Sequence, residues 1–389
     1  MTANPLVVCG NFSDSPLAFD IGQLLGLPVD IADNVALKTF ANSEFCPRFI
    51  PGDGSRPGRG LAGRTVLIVS SSSMLHNRNE LAMCNLILAR AAKENGAEWV
   101  MLVEPDLFYS AQDRGPYRFG DVETERGDED VHKFNGQPFT ARLYSELLKT
   151  AGVDEVVTVH NHSEKVFRLF KEAFEGRFHN LIPSEIFAHY ILHSDFAPPG
   201  PRGRDLVLCA PDKGARAFVN QVAERLDLPE ARLLVLDKCR EGEREVRMTV
   251  SAESPCGVAD LENKNVIILD DMVRTGTTIV QCCKFIKDAR PRRVCFVVTH
   301  FPPSEQVREN LHAPVLDEIL TTTTIPSILN RDCQGRLRHK LAVLKLGKWI
   351  TRSVLGILGE NNQRFAKDFY TVDMSSKNPR WAGSSAAKP

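Results

Sequence analysis

Short apolar runs rich in β-branched residues alternate along this chain with longer stretches whose apolar residues recur at helical spacing. Runs that are apolar throughout are typical of strands buried on both faces of a parallel sheet. The predicted strands are Leu6–Cys9, Thr65–Ser70, Trp99–Val103, Glu155–Val159, Leu206–Cys209, Leu233–Leu236, Val266–Leu269 and Val294–Thr299. The predicted helices are Asn79–Lys93, Ala141–Thr150, Ala215–Leu226 and Thr277–Lys287. This alternation predicts an α/β protein with parallel sheets.

The pattern divides into two similar halves, and the 389 residues exceed what one hydrophobic core usually organises. A stretch rich in proline and glycine, Ala197–Asp205, separates the halves and is the predicted linker. We therefore predict a domain over residues 1–195 and a second domain over residues 196–330. In residues 331–389, helical apolar spacing through Ile357 predicts a helix that packs back on the first domain, and a disordered tail begins at about Ser375.

Composition and charge narrow the function classes. A formal net charge of -1 argues against non-specific nucleic-acid binding. Apolar runs stay well short of the ~20 residues that a membrane span needs, and the N-terminal residues lack the pattern of a secretory signal. The 10 cysteines show no paired metal-ligand spacing. Free thiols of this kind predict a protein of the reducing cytoplasm.

The strongest chemical signal lies at the carboxyl end of the predicted strand Val266–Leu269. Asp270 and Asp271 follow the strand, and the sequence from Thr275 to Thr278 then opens a helix around a glycine. Such a turn lets backbone N–H groups converge on an anion, and the helix dipole adds to the attraction. Carboxylates beside a phosphate would repel it, so they suit sugar hydroxyls or a magnesium ion. Ribose 5-phosphate fits both halves of this arrangement.

The alternative is an ordinary capped helix, but one threonine and one aspartate would suffice for capping. The stretch closely resembles the phosphoribosyl pyrophosphate (PRPP) binding loop of phosphoribosyltransferases and PRPP synthetases. The resemblance implies two similar phosphoribosyltransferase-like (Rossmann-like) domains. It assigns ribose 5-phosphate binding to Asp212, Asp270, Asp271, Arg274, Thr275, Gly276, Thr277 and Thr278.

Six further segments resemble the ribose-phosphate pyrophosphokinase (PRPP synthetase) family, in that family's order. They are Phe40–Phe49, Phe108–Gly115, Thr158–Ser163, Ala210–Ala215, Val235–Glu243 and Thr321–Pro326. Lys213 and Ala215 make the fourth segment similar to the plant-type, class II branch. In the first two segments the resemblance assigns ATP binding to Phe40, Asn42, Glu44, Tyr109, Gln112, Asp113 and Arg114. The alternative for Phe40 is a place in the core of an amphipathic strand.

The resemblance places His162 and Asp212 on the metal, with His160 at the position of a metal-linked residue. It makes Val235–Glu243 the mobile catalytic loop. In an extended segment Lys238 and Arg240 point to the same side, and two converging cations suit the charge that develops during phosphoryl transfer. The alternative is a pair of solvated surface cations. The implied reaction converts ATP and ribose 5-phosphate into PRPP and AMP with Mg²⁺, in a homo-oligomer (dimer or higher) whose adenine sites are shared between subunits.

Three positions depart from the family pattern: Ala111 replaces an arginine, His160 an aspartate, and Arg274 an acidic or neutral residue. We hypothesise that Arg274, or an arginine of the insertion Arg114–Pro138, replaces the charge missing at Ala111. Unchanged kinetics in Arg274→Ala would exclude Arg274 from this role. His160 and His162 are two apart on a predicted strand end, hence on one side. They predict tolerance of Mn²⁺, since imidazole suits softer ions, and strict dependence on Mg²⁺ would contradict that. The alternative for His160 is a hydrogen bond within the sheet.

Two other functions share part of the signal. A phosphoribosyltransferase would use the loop Asp270–Thr278 but would leave Lys238, Arg240 and the Phe40 segment unexplained. A non-catalytic regulatory subunit of the same family would suit the three departures. It would have no need for two cations on a mobile loop.

Overall fold

In a computed structural model, the described residues are 5–13, 15–27, 34–50, 56–114, 132–241 and 245–373, with the side chains of 238–247 outside the description. The predicted disordered tail and most of the insertion Arg114–Pro138 lie outside these ranges. The strands are β1 Leu6–Gly10, β2 Val35–Thr39, β3 Phe45–Phe49, β4 Thr65–Val69, β5 Trp99–Val103, β6 Glu155–Val159, β7 Phe178–Leu181, β8 Leu206–Ala210, β9 Arg232–Glu241, β10 Glu245–Val250, β11 Asn265–Met272, β12 Arg293–His300, β13 Glu318–Thr322, β14 Leu341–Lys345 and β15 Thr371–Asp373. The helices are α1 Pro16–Leu25, α2 Arg78–Glu94, α3 Thr140–Ala151, α4 Glu164–Ala173, α5 Ser184–His193, α6 Arg216–Leu226, α7 Thr277–Lys287, α8 Glu305–Leu311, α9 Arg331–Gln334 and α10 Gly347–Ile357.

The described residues fold into two compact units. Unit 1 holds those up to Leu181 together with Gly347–Phe369, and unit 2 holds Ile182–Leu346 and those from Tyr370 onward. These limits differ from the predicted segments 1–195, 196–330 and 331–389, which stay a prediction. The difference arises because α5 packs against α6 within unit 2, and because the chain returns to unit 1 at α10.

Unit 1 is built on a parallel sheet of five strands in the order β1-β4-β5-β6-β7. Every residue of β4 and of β6 is buried, as expected for strands covered by helices on both faces. The antiparallel pair β2 and β3 forms a separate hairpin. The helix α10 packs against α1 of the same unit, and a Cβ on Gly347 would lie 3.4 Å from the Asp20 side chain.

Unit 2 contains an eight-stranded sheet in the order β10-β9-β8-β11-β12-β13-β14-β15. The strands from β9 to β14 run parallel, while β10 and β15 are antiparallel at the two edges. The α/β class with parallel sheets is therefore confirmed, and β13 lies within the sheet. The core of unit 2 is one cluster of buried apolar side chains around β8, β11 and β12. The helix α7 contributes Ile279, Cys282 and Ile286 to this cluster.

Within each unit, the parallel strands of the sheet end together at one edge of that sheet, where α/β proteins place ligands. The segments singled out by sequence follow β5, β6, β8 and β11 at such ends. None of the described helices is long and apolar enough to cross a membrane.

Candidate active site

The turn between β11 and α7 depends on a glycine. Gly276 precedes the helix with a φ of 81°, a left-handed conformation that side chains other than glycine rarely adopt. A Cβ at this position would lie 3.1 Å from the Leu311 side chain. Glycine at 276 therefore lets the turn form without this strain and contact.

Hydrogen bonds hold the threonines of this turn in place. The Thr275 hydroxyl accepts the Thr277 N–H at 3.4 Å and lies 3.2 Å from the Thr277 hydroxyl. The Asn310 amide donates to the Thr275 carbonyl at 2.8 Å. Both threonines are exposed, and the N-cap residue of α7 is Gly276, which has no side chain to accept the other N–H groups of the first turn. The turn thus presents hydroxyls and a helix N-terminus to solvent, as a phosphate site requires.

Two carboxylates border the turn at the end of β11. Asp270 accepts the Asp271 N–H at 3.0 Å, and Asp271 accepts the Met272 N–H at 2.8 Å. Removal from solvent raises the pKa of Asp270 well above its ordinary value, and the negative charges of Asp271 and Asp212 raise it further. This edge of unit 2 is therefore rich in negative charge that a cation or hydroxyl donors would relieve.

Asp212 follows β8, the strand beside β11. Its Oδ1 accepts the backbone N–H groups of Gly214 at 3.0 Å and Ala215 at 3.3 Å. Among the described residues, no group of three or more metal-ligating side chains forms a ready cage. Mg²⁺ usually keeps several waters and takes one or two carboxylates plus substrate phosphates. The donors at this edge fit such a partly hydrated ion.

The predicted catalytic loop begins as a strand. The segment of β9 from Leu236 to Glu241 pairs with β10, so that Lys238 lies opposite Met248 and Arg240 opposite Val246. The expected extended conformation at 238–240 is confirmed for the backbone. The shared side of the two cations stays a prediction, because their side chains lie outside the description.

In unit 1, two predicted segments meet at the carboxyl ends of β5 and β6. The Ser163 hydroxyl donates to Asp113 at 2.7 Å, and the Val159 N–H donates to the Pro105 carbonyl at 3.1 Å. The turn after β5 and the loop after β6 are thus joined directly. This contact brings Asp113 and the histidine loop together, as the resemblance requires of a nucleotide site.

The turn from Phe108 to Arg114 exposes the side chains of Gln112 and Arg114. Tyr109 has a φ of 62° and its hydroxyl donates to the Asn79 side chain at 2.8 Å. A left-handed tyrosine costs on the order of 1 kcal/mol and persists only where the surroundings hold it. The turn is therefore constrained rather than freely mobile.

The predicted strand alternation that would place His160 and His162 on one side is wrong. The strand ends at Val159, and His160 has a φ of 46°, so the alternation of a strand does not extend through it. His160 is 6% exposed, whereas His162 is exposed. The His160 N–H donates to the Leu181 carbonyl of β7 at 2.9 Å, which favours the alternative of a hydrogen bond within the sheet. Of the two, His162 is the accessible one.

The hairpin of β2 and β3 carries Phe40, Asn42 and Glu44 at its tip. Phe40 is 42% exposed, so the alternative that it belongs to the core is wrong. The Lys38 ammonium lies 4.6 Å from the centre of its ring, and Asn42 accepts the Glu44 N–H at 3.2 Å. Between this hairpin and α2 lies a cavity of about 540 Å³. An exposed ring beside short polar groups is what a purine site needs.

Sequence reasoning missed three residues beside these loops. Glu104 is fully buried directly after β5, and Asp106, two residues on, is paired with Arg78 at the start of α2. Asn310, on α8, holds the phosphate turn. An acid directly after an apolar strand was the signal used for Asp270, and it would have found Glu104 as well.

Comparisons with known proteins agree with this geometry. The family model described as phosphoribosyl transferase domain matches residues 189–328. A ribose-phosphate pyrophosphokinase of Campylobacter jejuni is 27% identical over 310 residues, covering 79% of this chain and 84% of that protein. Ribose-phosphate pyrophosphokinase 2 of Saccharomyces cerevisiae is 28% identical over 338 residues, covering 85% and 90%. The ribose-phosphate pyrophosphokinase of Pyrococcus furiosus is 29% identical over 300 residues, covering 77% and 88%.

The crystal structure of phosphoribosylpyrophosphate synthetase from Mycobacterium smegmatis has the same fold. It covers 91% of this chain and 99% of its own, with a TM-score of 0.70 and 22% identity. The relatives match both units rather than the phosphoribosyl transferase region alone. The chain is therefore similar to ribose-phosphate pyrophosphokinases over most of its length, and residues 189–328 match the phosphoribosyl transferase domain.

Proposed function

We propose that this chain is a ribose-phosphate pyrophosphokinase, which converts ATP and ribose 5-phosphate into PRPP and AMP. The observation that carries the proposal is the loop from β11 to α7. It combines a glycine turn and a helix N-terminus that begins at that glycine with two carboxylates. The turn suits the 5-phosphate, and the acids suit the ring hydroxyls or a magnesium ion.

In the reaction, the anomeric oxygen of ribose 5-phosphate attacks the β-phosphorus of ATP. The new bond joins that oxygen to the β-phosphorus, and the bond from the β-phosphorus to the α–β bridging oxygen breaks. AMP leaves with the bridging oxygen, and the anomeric hydroxyl loses its proton. Lys238 and Arg240 stabilise the charge that spreads over the transferred group, so that the protein acts through positioning and electrostatics.

We assign the metal to Mg²⁺ and propose Asp212 as its protein ligand in unit 2. In unit 1 the accessible candidate ligand is His162. When bound, the ion would neutralise phosphate charge. The Asp212 loop orients its carboxylate through two backbone N–H groups, which supports this assignment. Mn²⁺ remains the second candidate.

We also propose a homo-oligomer in which the exposed hairpin of Phe40 helps to line an adenine site, because its ring is accessible in the single chain. The proposed compartment is the cytoplasm. The free thiols found at the described cysteine positions support it, since they suit a reducing environment.

One assay tests the proposed reaction against its rivals. The full chain is incubated with ATP, ribose 5-phosphate and Mg²⁺, and AMP and PRPP are quantified together. Formation of both in equal amounts is expected. A chain that makes neither product would be a regulatory subunit or a phosphoribosyltransferase, and consumption of added PRPP with a purine base would identify the latter.

Gly276→Ala should raise the KM for ribose 5-phosphate at least tenfold, with a smaller change in the KM for ATP. The methyl group would press on Leu311 and would force a side chain into left-handed backbone, at a cost of about 1 kcal/mol or more. Steady-state kinetics with each substrate varied measures this.

The matched control is Gly257→Ala in the same unit, where a Cβ meets no atom within 4 Å and φ is negative. Its kinetics should stay within twofold of the unmodified protein. Equal effects of the two substitutions would show that the β11–α7 turn does not hold the sugar phosphate.

A further inference from the structure

A buried carboxylate stands directly after β5, at the sheet edge of unit 1. Glu104 is 0% exposed and follows the apolar strand Trp99–Val103. Removing a carboxylate from water is costly unless hydrogen bonds replace the lost solvation. A glutamate at this position therefore calls for an explanation beyond packing.

Four donors converge on the two oxygens of Glu104. Its Oε1 accepts the Ser70 hydroxyl at 2.8 Å, the Asn85 amide at 2.8 Å and the Tyr144 hydroxyl at 3.1 Å. Its Oε2 accepts the backbone N–H of Phe108 at 3.0 Å. The first three donors belong to the end of β4, to α2 and to α3. Only the Phe108 amide belongs to the turn that follows β5.

We propose that Glu104 is a positioning residue that fixes the nucleotide-contacting turn Phe108–Arg114 to β4, α2 and α3. The inference rests on the proposed function, which makes this turn part of the ATP site. Tyr109 needs such an anchor because its backbone is left-handed, and its ring packs at 5.2 Å against the ring of Tyr144, a donor to the same carboxylate. The carboxylate itself is too deeply buried to touch a nucleotide.

The network suits the ionised form of Glu104, which accepts all four donors at once. A proton on Oε2 would face the Phe108 N–H, which cannot reverse its direction, and a proton on Oε1 would turn one of the two hydroxyls from donor into acceptor. Burial raises the pKa of Glu104 to about 7, and the charge of Asp106 contributes. The other ionisable groups around it are Tyr109 and Tyr144, and Asp106 is paired with Arg78.

Activity and stability should therefore respond to pH in opposite directions. Protonation weakens this network as pH falls below about 7, which loosens the turn and weakens ATP binding. The folded protein binds this proton more tightly than the unfolded chain, because the folded pKa is raised. The stability that Glu104 contributes is hence present at low pH and is lost as pH rises through about 7. A residue needed only for stability would not produce this opposition.

The test compares Glu104→Gln with the unmodified full chain. The amide oxygen can replace Oε1, but the amide NH₂ then faces the Phe108 N–H, donor against donor. We expect the KM for ATP to rise about tenfold, the factor for losing one charge-assisted hydrogen bond. The KM for ribose 5-phosphate should stay within twofold. The fall in kcat/KM for ATP between pH 8 and pH 6 should be weaker in the variant.

The control is Glu155→Gln. Glu155 is a buried glutamate at the opposite end of the same sheet, and its carboxylate accepts hydrogen bonds from the His179 ring at 2.7 Å and from the Trp99 indole N–H at 3.0 Å. It should lower the unfolding temperature without changing the KM for ATP. Direct calorimetric titration with a non-hydrolysable ATP analogue accompanies the kinetics, so the inference can be judged even if the chain makes no PRPP.

Tyr144→Phe is the second variant, in case Glu104→Gln fails to fold. It removes one donor while retaining the ring, and should raise the KM or dissociation constant for the nucleotide about threefold. Unchanged nucleotide affinity in the variants, or equal shifts for both substrates, would overturn the inference. So would an unmodified chain that binds no adenine nucleotide. Absence of PRPP with nucleotide binding that still depends on Glu104 would refute only the proposed reaction.

Discussion

Replacement of both Lys238 and Arg240 by alanine should lower kcat about a thousandfold, the scale on which cationic groups stabilise phosphoryl transfer. The backbone of both residues lies in β9, two positions apart and opposite β10. Residues so spaced in a strand point to one side, where two cations would meet the charge of the transferred group. Since that charge is largest in the transition state, each KM should change only a few fold. Single-turnover formation of AMP measures the effect.

The matched control for the double variant is Arg232→Ala, at the other end of the same strand. Arg232 is paired with Asp260 at the surface, so its loss should leave kcat within twofold. A double variant that retained a tenth or more of the activity would contradict a catalytic role for this strand. The positions would then be ordinary solvated cations.

The fold was largely predictable because its parallel strands are buried on both faces. The continuous apolar runs at β4 and β11 identify both segments as strands, and the structure places both near the middle of sheets. Most strands at or near the sheet edges were not predictable by the same reasoning, although the edge strand β1 was predicted. The strands β7, β10, β14 and β15 were missed, since a pattern local to each segment does not show which distant strand it pairs with.

The loop at Asp270–Thr278 was predictable because its residues adjoin in sequence and their chemistry is unusual for a helix start. The predicted placement of His160 and His162 on one side of a strand failed because one left-handed residue ends the strand's alternation. Nothing in the residue types signals that conformation. Glu104 was overlooked although it follows an apolar run, because a single acid gives no hint of its burial. Its meaning depends on Ser70, Asn85 and Tyr144, which tertiary packing brings together.

Asp270→Asn should change activity and stability in opposite directions. Losing a carboxylate that accepts sugar hydroxyls or faces the metal should lower kcat/KM for ribose 5-phosphate about a hundredfold, on the scale of one to two charge-assisted hydrogen bonds. The same change removes one of two adjacent negative charges. Because folding raises the pKa of Asp270, the charged form of this side chain destabilises the folded state at neutral pH. This cost grows as pH rises through the raised pKa. We expect the free energy of unfolding of the variant to increase by about 1 kcal/mol in chelator at neutral pH.

Asp260→Asn provides the contrasting control in the same unit. Asp260 accepts the Gly257 N–H at 2.9 Å, and this bond lowers the pKa of its carboxyl, helped by Arg232. Its charged form therefore stabilises the fold, and its substitution should reduce stability while leaving the kinetics unchanged. Adding Mg²⁺ and ribose 5-phosphate should cancel the advantage of Asp270→Asn, because ligands that bind the native site stabilise the unmodified protein more. The opposite result would be an Asp270→Asn variant that is less stable than the unmodified protein in chelator. It would mean that Asp270 is held by favourable contacts rather than strained by its neighbour. The charge-rich edge would then not be a site for cation and sugar.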